Sequence, residues 1–306
     1  MTHVSPPRWG FRRTIDIQNS TEELYFILLG LSQYPRAQAI FFCLLLMSYI
    51  ITLLGNSLVL LLICYDPQLH MRMYFFISNL SFLDMCYTMS SVPQTLINCL
   101  VTIPAISLGQ CLAQMAVGLY LGVVECLLLA AMAYDRCVAI GDPLHYSVHM
   151  GPRLCGLLAG TSWTAAFLLT MVLVMTMPLE FCGYQVINHF SFDHVGISAL
   201  ALLAPFAFVV ASHGRILVAV LRIQSTEGRG KAFSTCGSHL IVVALFYGTA
   251  ISMYMTPQDK TTHDRDKIIS ISYGILTPMM NPFIYSLRNK DVEGAFRRLL
   301  GRRTDL

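Results

Sequence analysis

Seven apolar blocks, each about twenty residues or more in length and separated by short polar links, limit what this 306-residue chain can become. A water-soluble core is written in stripes, with an apolar residue every second or every third to fourth position. Here the apolar residues run on without interruption. Inside hydrocarbon no water is available to backbone N–H and C=O groups, so each block must satisfy its own hydrogen bonds as a helix. Composition agrees, with 55% hydrophobic and 12% charged residues, where a soluble domain carries about 25% charged. The net charge of +3 gives no footing for a nucleic-acid partner. The expectation is an all-α membrane protein, a seven-helix bundle with spans near 39–64, 73–100, 109–140, 154–177, 196–221, 232–255 and 267–287. Residues 1–38 form a polar leading tail, and 288–306 a tail carrying a short amphipathic surface helix. Residues 1–25 contain no apolar stretch of the kind a cleavable secretion signal needs, so the first span is expected to act as the insertion signal.

Seven crossings put the two ends on opposite sides of the bilayer, and the basic residues choose between the two orientations. With the amino end outside, thirteen Lys and Arg lie on the inner side and seven on the outer side, which favours a cytoplasmic carboxyl end at the plasma membrane. Asn19, in Asn19-Ser20-Thr21, then becomes a glycosylation acceptor. The ten cysteines show no paired spacing that would hold zinc or run redox chemistry, and most sit inside spans as small hydrophobes. Cys111 and Cys182 face the oxidising side and are expected to close a disulfide, the plainer alternative being two free thiols. Pro93 and Pro205 fall inside spans two and five, where a kink is expected, and span seven contains Pro278 and Asn281-Pro282.

Polar residues within the spans carry most of the information. Asn56, Asp84 and Asn281 lie mid-span in three different helices. Each would be costly facing lipid, so they are expected to face one another, as structural glue or as a polar core that holds water or a Na⁺ ion near Asp84. Glu125 is a further buried acid on span three, read as structural or as a ligand contact. Asp135 and Arg136 close the same span. Their plainer role is a helix end with Arg136 reaching for headgroups, and their functional role a breakable ion pair.

Met132-Ala-Tyr-Asp-Arg-Cys-Val-Ala-Ile140 and the following Pro143-Leu-His-Tyr146 resemble the span-three signature of the odorant receptors, a branch of the rhodopsin-like G-protein-coupled receptors. Lys231-Ala-Phe-Ser-Thr-Cys-Gly-Ser-His-Leu240 is similar to the entry to span six, and Pro278-Met-Met-Asn-Pro-Phe-Ile-Tyr-Ser-Leu-Arg-Asn289 to span seven. Gly55-Asn56, Leu69-His70, Met73-Tyr-Phe-Phe76 and Ser81-Phe-Leu-Asp84 complete the resemblance, which covers roughly residues 26–300.

The resemblance implies a small volatile ligand, a stimulatory G protein and a rise in cAMP. The outer-half residues that would line the ligand cavity are Met115, Leu119, Gly122 and Val123 on span three and Ala250, Ile251 and Tyr254 on span six, with Ser270, Ile271 and Gly274 on span seven. For each of these singly, ordinary helix packing is the plainer reading. On the inner side, Asp135 and Arg136 would release each other as span six swings out. Lys231, Ser234 and Thr235 would edge the opened cleft, and Pro282 and Tyr285 would adjust span seven.

Four positions depart from the resembled pattern: Arg72 stands for a usual Pro, Cys137 for Tyr, Gly141 for Cys and His213 for Tyr. The stretch between Phe192 and Pro205 is also shorter than the pattern, which makes a receptor-like chain with impaired or absent signalling the alternative reading. A transporter would show internal repeats, and none is visible. A metal or enzymatic site could be sought in His189, Asp193 and His194, but a solvated loop accounts for them and no nucleophile–base pair appears elsewhere.

Overall fold

The computed structural model describes residues 25–27, 35–101, 105–176, 190–222, 225–254, 275–286 and 290–301. Helix α1 (Pro35–Tyr65) is followed by a 3₁₀ turn (Pro67–Leu69), α2 (Arg72–Leu100), α3 (Leu108–Gly141) and the single-turn α4 (Tyr146–His149). The chain continues through α5 (Pro152–Met175), α6 (Phe190–Arg222), α7 (Thr226–Tyr254), α8 (Thr277–Ser286) and α9 (Lys290–Gly301). Among the described residues, four stretches are long and apolar enough to cross a membrane: Gln38–Tyr65, Gly109–Gly141, Pro152–Met175 and Leu202–Arg222. Cys236–Ser252 in α7 is a shorter apolar stretch. The architecture is an all-α bundle.

α2 is less apolar because it is studded with hydroxyls and amides. They are tolerated because they bond back to their own helix: Ser78 to the Phe75 carbonyl at 2.7 Å, Thr88 to that of Asp84 at 2.6 Å, and Thr95 to that of Ser91 at 3.0 Å. The helix passes through Pro93 without ending.

α3 is the central post, packed against α2, α5, α6 and α7. Its inner half is sealed, with Val124, Leu128, Leu129 and Ala133 fully buried. The outward surfaces of α1, α5 and α6 are apolar instead, with Leu44, Met47, Leu168, Met175, Val210 and Leu221 exposed. Such an all-round apolar helix suits a lipid surrounding.

One element is not part of the expected all-helical pattern. Tyr25–Ile27 (β1) pairs antiparallel with Ala105–Ser107 (β2), tying the chain before α1 to the entrance of α3. Ser107 then opens α3 with a reciprocal cap: its hydroxyl accepts the Gln110 N–H at 3.3 Å, and the Gln110 side-chain oxygen accepts the Ser107 N–H at 3.4 Å. The tail helix α9 is amphipathic, but Val292 and Ala295 are buried in the bundle, and of its apolar residues Phe296 is exposed. Arg298 pins it to the 3₁₀ turn, its Nε and Nη2 donating to Asp66 Oδ2 at 2.9 and 2.6 Å.

Candidate functional site: a polar core and an inner latch

In the middle of the bundle, α1, α2 and α8 meet through their amides and carboxylate. Asn281 Nδ2 donates to Asp84 Oδ2 at 2.9 Å, and Asn56 Nδ2 donates to the Pro278 carbonyl at 3.2 Å and to that of Thr52 at 3.0 Å. All three side chains are almost fully buried. Close approach is possible because Gly55 has no side chain: a Cβ there would lie 3.2 Å from Pro282 Cβ and Cγ. The Asn56 and Asn281 side-chain carbonyl oxygens and Glu125 Oε1 are buried without a hydrogen-bond partner. Among the described residues, no cluster of His, Cys, Asp and Glu side chains is arranged to hold a metal ion.

At the inner end of α3, Asp135 is 1% exposed. Its Oδ2 accepts from Arg136 Nε at 3.0 Å and also from Nη2 of the same guanidinium. Its Oδ1 accepts the Tyr146 hydroxyl at 2.7 Å. Burial, followed by the bond to the carboxylate, pushes the Tyr146 hydroxyl up to about 12, so it remains a donor throughout the physiological range. The Tyr146 ring in turn lies under Arg72, whose guanidinium carbon is 5.1 Å from the ring centroid. Arg72 Nη2 donates to the Ser147 carbonyl at 3.1 Å.

Around this latch, Cys137 and Ile140 of α3 pack on Ile216 and Val220 of α6 and Cys236 of α7. Further in, His213 of α6 lies parallel to His239 of α7, the ring centroids 5.1 Å apart. His213 Nδ1–H donates to the Val209 carbonyl at 2.8 Å, which leaves its Nε2 to accept from His239 Nδ1–H at 3.2 Å. The His at position 213 thus supplies a side-chain link between α6 and α7.

Sequence reasoning quoted Tyr146 and Arg72 but gave neither a partner. Nothing in their spacing from Asp135 places them beside it; the loop has to fold first. Pro282 is buried as part of α8, whereas the side chains of Lys231, Ser234, Thr235 and Tyr285 lie outside the described residues.

The residues expected to line an outer cavity divide. Val123 and Ala250 are buried, Leu119 and Ile251 pack against the core from its edge, Gly122 is half-buried, and Met115 is exposed. The Tyr254 side chain and Ser270, Ile271 and Gly274 lie outside the described residues, as do Asn19 and Cys182. The cavity seen at Val59, Leu62, Leu69, Tyr74 and Val292 is at the other, inner end, and at about 10 Å³ it has room for a single water at most.

The fold and site together define an all-α bundle of membrane-crossing helices with a buried polar centre and an acid–guanidinium pair near the end of its central helix. The family described as 7 transmembrane receptor (rhodopsin family) matches residues 55–285. Olfactory receptor 13H1 of Homo sapiens is 50% identical over 306 aligned positions, taking in 94% of this chain and 99% of the relative. Olfactory receptor 2B2 of Homo sapiens is 48% identical, covering 90% of this chain and 83% of the relative. Olfactory receptor 1M1 of Mus musculus is 42% identical, covering 94% and 97%. The chain belongs to the rhodopsin-family seven-transmembrane receptors and, within them, to the olfactory receptors. It is therefore a multi-pass membrane receptor from a family of receptors and not of enzymes, with an odorant and a G protein as its general partners. The alignment with the 13H1 relative spans 306 positions but takes in only 94% of this chain, so part of the relative has no counterpart here.

Proposed function

We propose that the receptor takes a small volatile organic ligand into the outer half of the bundle and activates a stimulatory G protein, raising cAMP, with its amino end outside the cell. The carrying observation is Asp135, which is buried and has both oxygens engaged, by Arg136 and Tyr146. A carboxylate held in this way is stable while the inner end stays closed. Moving Arg136 or Tyr146 leaves it unsatisfied, so the contact works as a two-position latch. Agonist binding favours the open position only to the extent that the agonist binds that state more tightly. Lys231, Ser234 and Thr235 would edge the cleft that admits the G protein, and Pro282 and Tyr285 would adjust α8.

The polar core would hold a Na⁺ ion or water through Asp84, Asn56, Asn281 and Glu125. The unpartnered buried oxygens support this reading: a water would satisfy them by donating, and a Na⁺ ion would also offset carboxylate charge while the receptor rests. Cys111, a free thiol in the structure, would close a disulfide with Cys182 on the oxidising side, and Asn19 would carry a glycan.

The direct test is surface staining of an amino-terminal tag together with a cAMP readout over an odorant panel. Asp135→Arg is expected either to raise basal cAMP or to abolish signalling, and an unchanged output rejects the latch. Leu119→Ala with Tyr254→Ala is expected to weaken whichever odorant response is found, whereas an unaltered dose–response curve places the pocket elsewhere. The second reading is a receptor-like chain with impaired or no signalling because the second outer loop and span five are shortened, and the unmatched part of the relative is in keeping with a shortened chain. Normal surface staining with basal signalling but no response across the panel would select it.

A further inference from the structure

The latch on Asp135 includes a residue outside α3 that sequence comparison alone would pass over. α4 is one turn long, and its first residue has no side-chain cap before it. A helix this short does not hold itself together in isolation, because the first turn fixes more dihedrals than its hydrogen bonds repay. Tyr146 nonetheless has to stay where its hydroxyl reaches Asp135 Oδ1 at 2.7 Å. Met150, buried directly after α4, and the packing of Tyr146 on the core anchor it from one side, and Arg72, the first residue of α2, holds it from the other. Its Nη2 bonds the carbonyl of Ser147, the second residue of α4, at 3.1 Å. Its guanidinium also covers the Tyr146 ring at 5.1 Å. A cation over the ring both attracts its face and makes the hydroxyl a better donor to the carboxylate below.

We propose that Arg72 is a positioning residue for activation: by clamping α4 it keeps Tyr146 on Asp135 and raises the threshold for opening the inner end. This rests on the latch reading of Asp135 given above. The geometry of α2 makes the position unusually clean to test. Arg72 is the first helical residue, with Met71 as its N-cap, and proline is well tolerated there because that N–H has no partner within the helix. Arg72→Pro therefore removes the clamp without breaking α2.

The experiment measures basal cAMP per surface receptor in cells expressing the full chain with an amino-terminal tag, so no odorant has to be known. Arg72→Pro and Arg72→Ala are expected to raise basal output about five- to seventyfold, the range that loss of a cation–π contact and one hydrogen bond together implies. Arg72→Lys keeps the charge over the ring but loses the planar fork, and is expected to fall between wild type and Arg72→Ala. Tyr146→Phe is expected to raise output in the same direction, and adding Arg72→Ala to it to raise output little further, since both act through one contact. A purely structural role for Arg72 would instead lower both surface staining and output. Where a variant stays inside the cell, nucleotide exchange on the G protein in isolated membranes gives the same comparison.

Asp135→Ala separates the two levels of the argument. If it raises basal output while Arg72→Pro and Arg72→Ala leave it at wild type, the clamp is overturned and the latch stands. If Asp135→Ala has no effect, the latch reading fails and the clamp fails with it.

Discussion

Asp84 and Asn281 come from helices almost two hundred positions apart in sequence, yet their side chains meet at 2.9 Å with essentially no exposure to the surroundings. Each is acceptable inside an apolar bundle only because the other is present. Removing one amide leaves the carboxylate short of a donor, which costs more than the bond itself was worth. Asn281→Ala is accordingly expected to lower stability in detergent by about 1–3 kcal/mol, read as a fall in the thermal unfolding midpoint. Asn281→Asp is expected to cost more, because a second acid would face Asp84 with no donor between them. At this scale the sequence was informative where a residue was out of place chemically. An acid or amide inside an apolar run announces that it needs a partner, and Asn56, Asp84 and Asn281 announced themselves in that way. Tyr146 and Arg72 did not, since a phenol and a guanidinium at the ends of spans are ordinary there, and only the folded loop gives them partners.

Between elements, what matters is how closely helices approach and what fixes the separation. The α1–α8 contact is set at Gly55, where an added Cβ would press on Pro282 at 3.2 Å. Gly55→Leu is expected to push the helices apart and cost about 1–3 kcal/mol as overpacking. Because that shift also pulls Asn56 away from the Pro278 carbonyl, the loss should be larger than for a comparable substitution at the exposed Gly160, measured in the same thermal assay. Helix identity was legible in advance because uninterrupted apolar runs have few alternatives in a membrane. The β1–β2 pair was not, because three residues carry no readable alternation and their partners lie about eighty positions away. The α9 stripe was only half read. Amphipathicity says that one face is apolar, but whether it meets lipid or protein depends on where the helix is docked, and Val292 and Ala295 turn inward.

Taken whole, the molecule is a bundle whose central helix reaches from the outer rim to the inner latch. Amino end out and carboxyl end in is the orientation the basic residues favour, with thirteen of the twenty Lys and Arg then on the inner side. In intact cells an amino-terminal epitope should accordingly stain without permeabilisation, and enzymatic removal of N-glycans should shorten the apparent mass unless Asn19 is changed to Gln. A carboxyl-terminal epitope that stains intact cells would reverse this topology. The small ribbon formed by Tyr25–Ile27 and Ala105–Ser107 adds a constraint on how the receptor can be handled. A truncated form beginning after residue 27 would strip β2 of its neighbour and leave its backbone groups bare beside the start of α3. Bare strand edges recruit other chains, so such a form should run as mixed oligomers in gel filtration, even with every transmembrane helix intact.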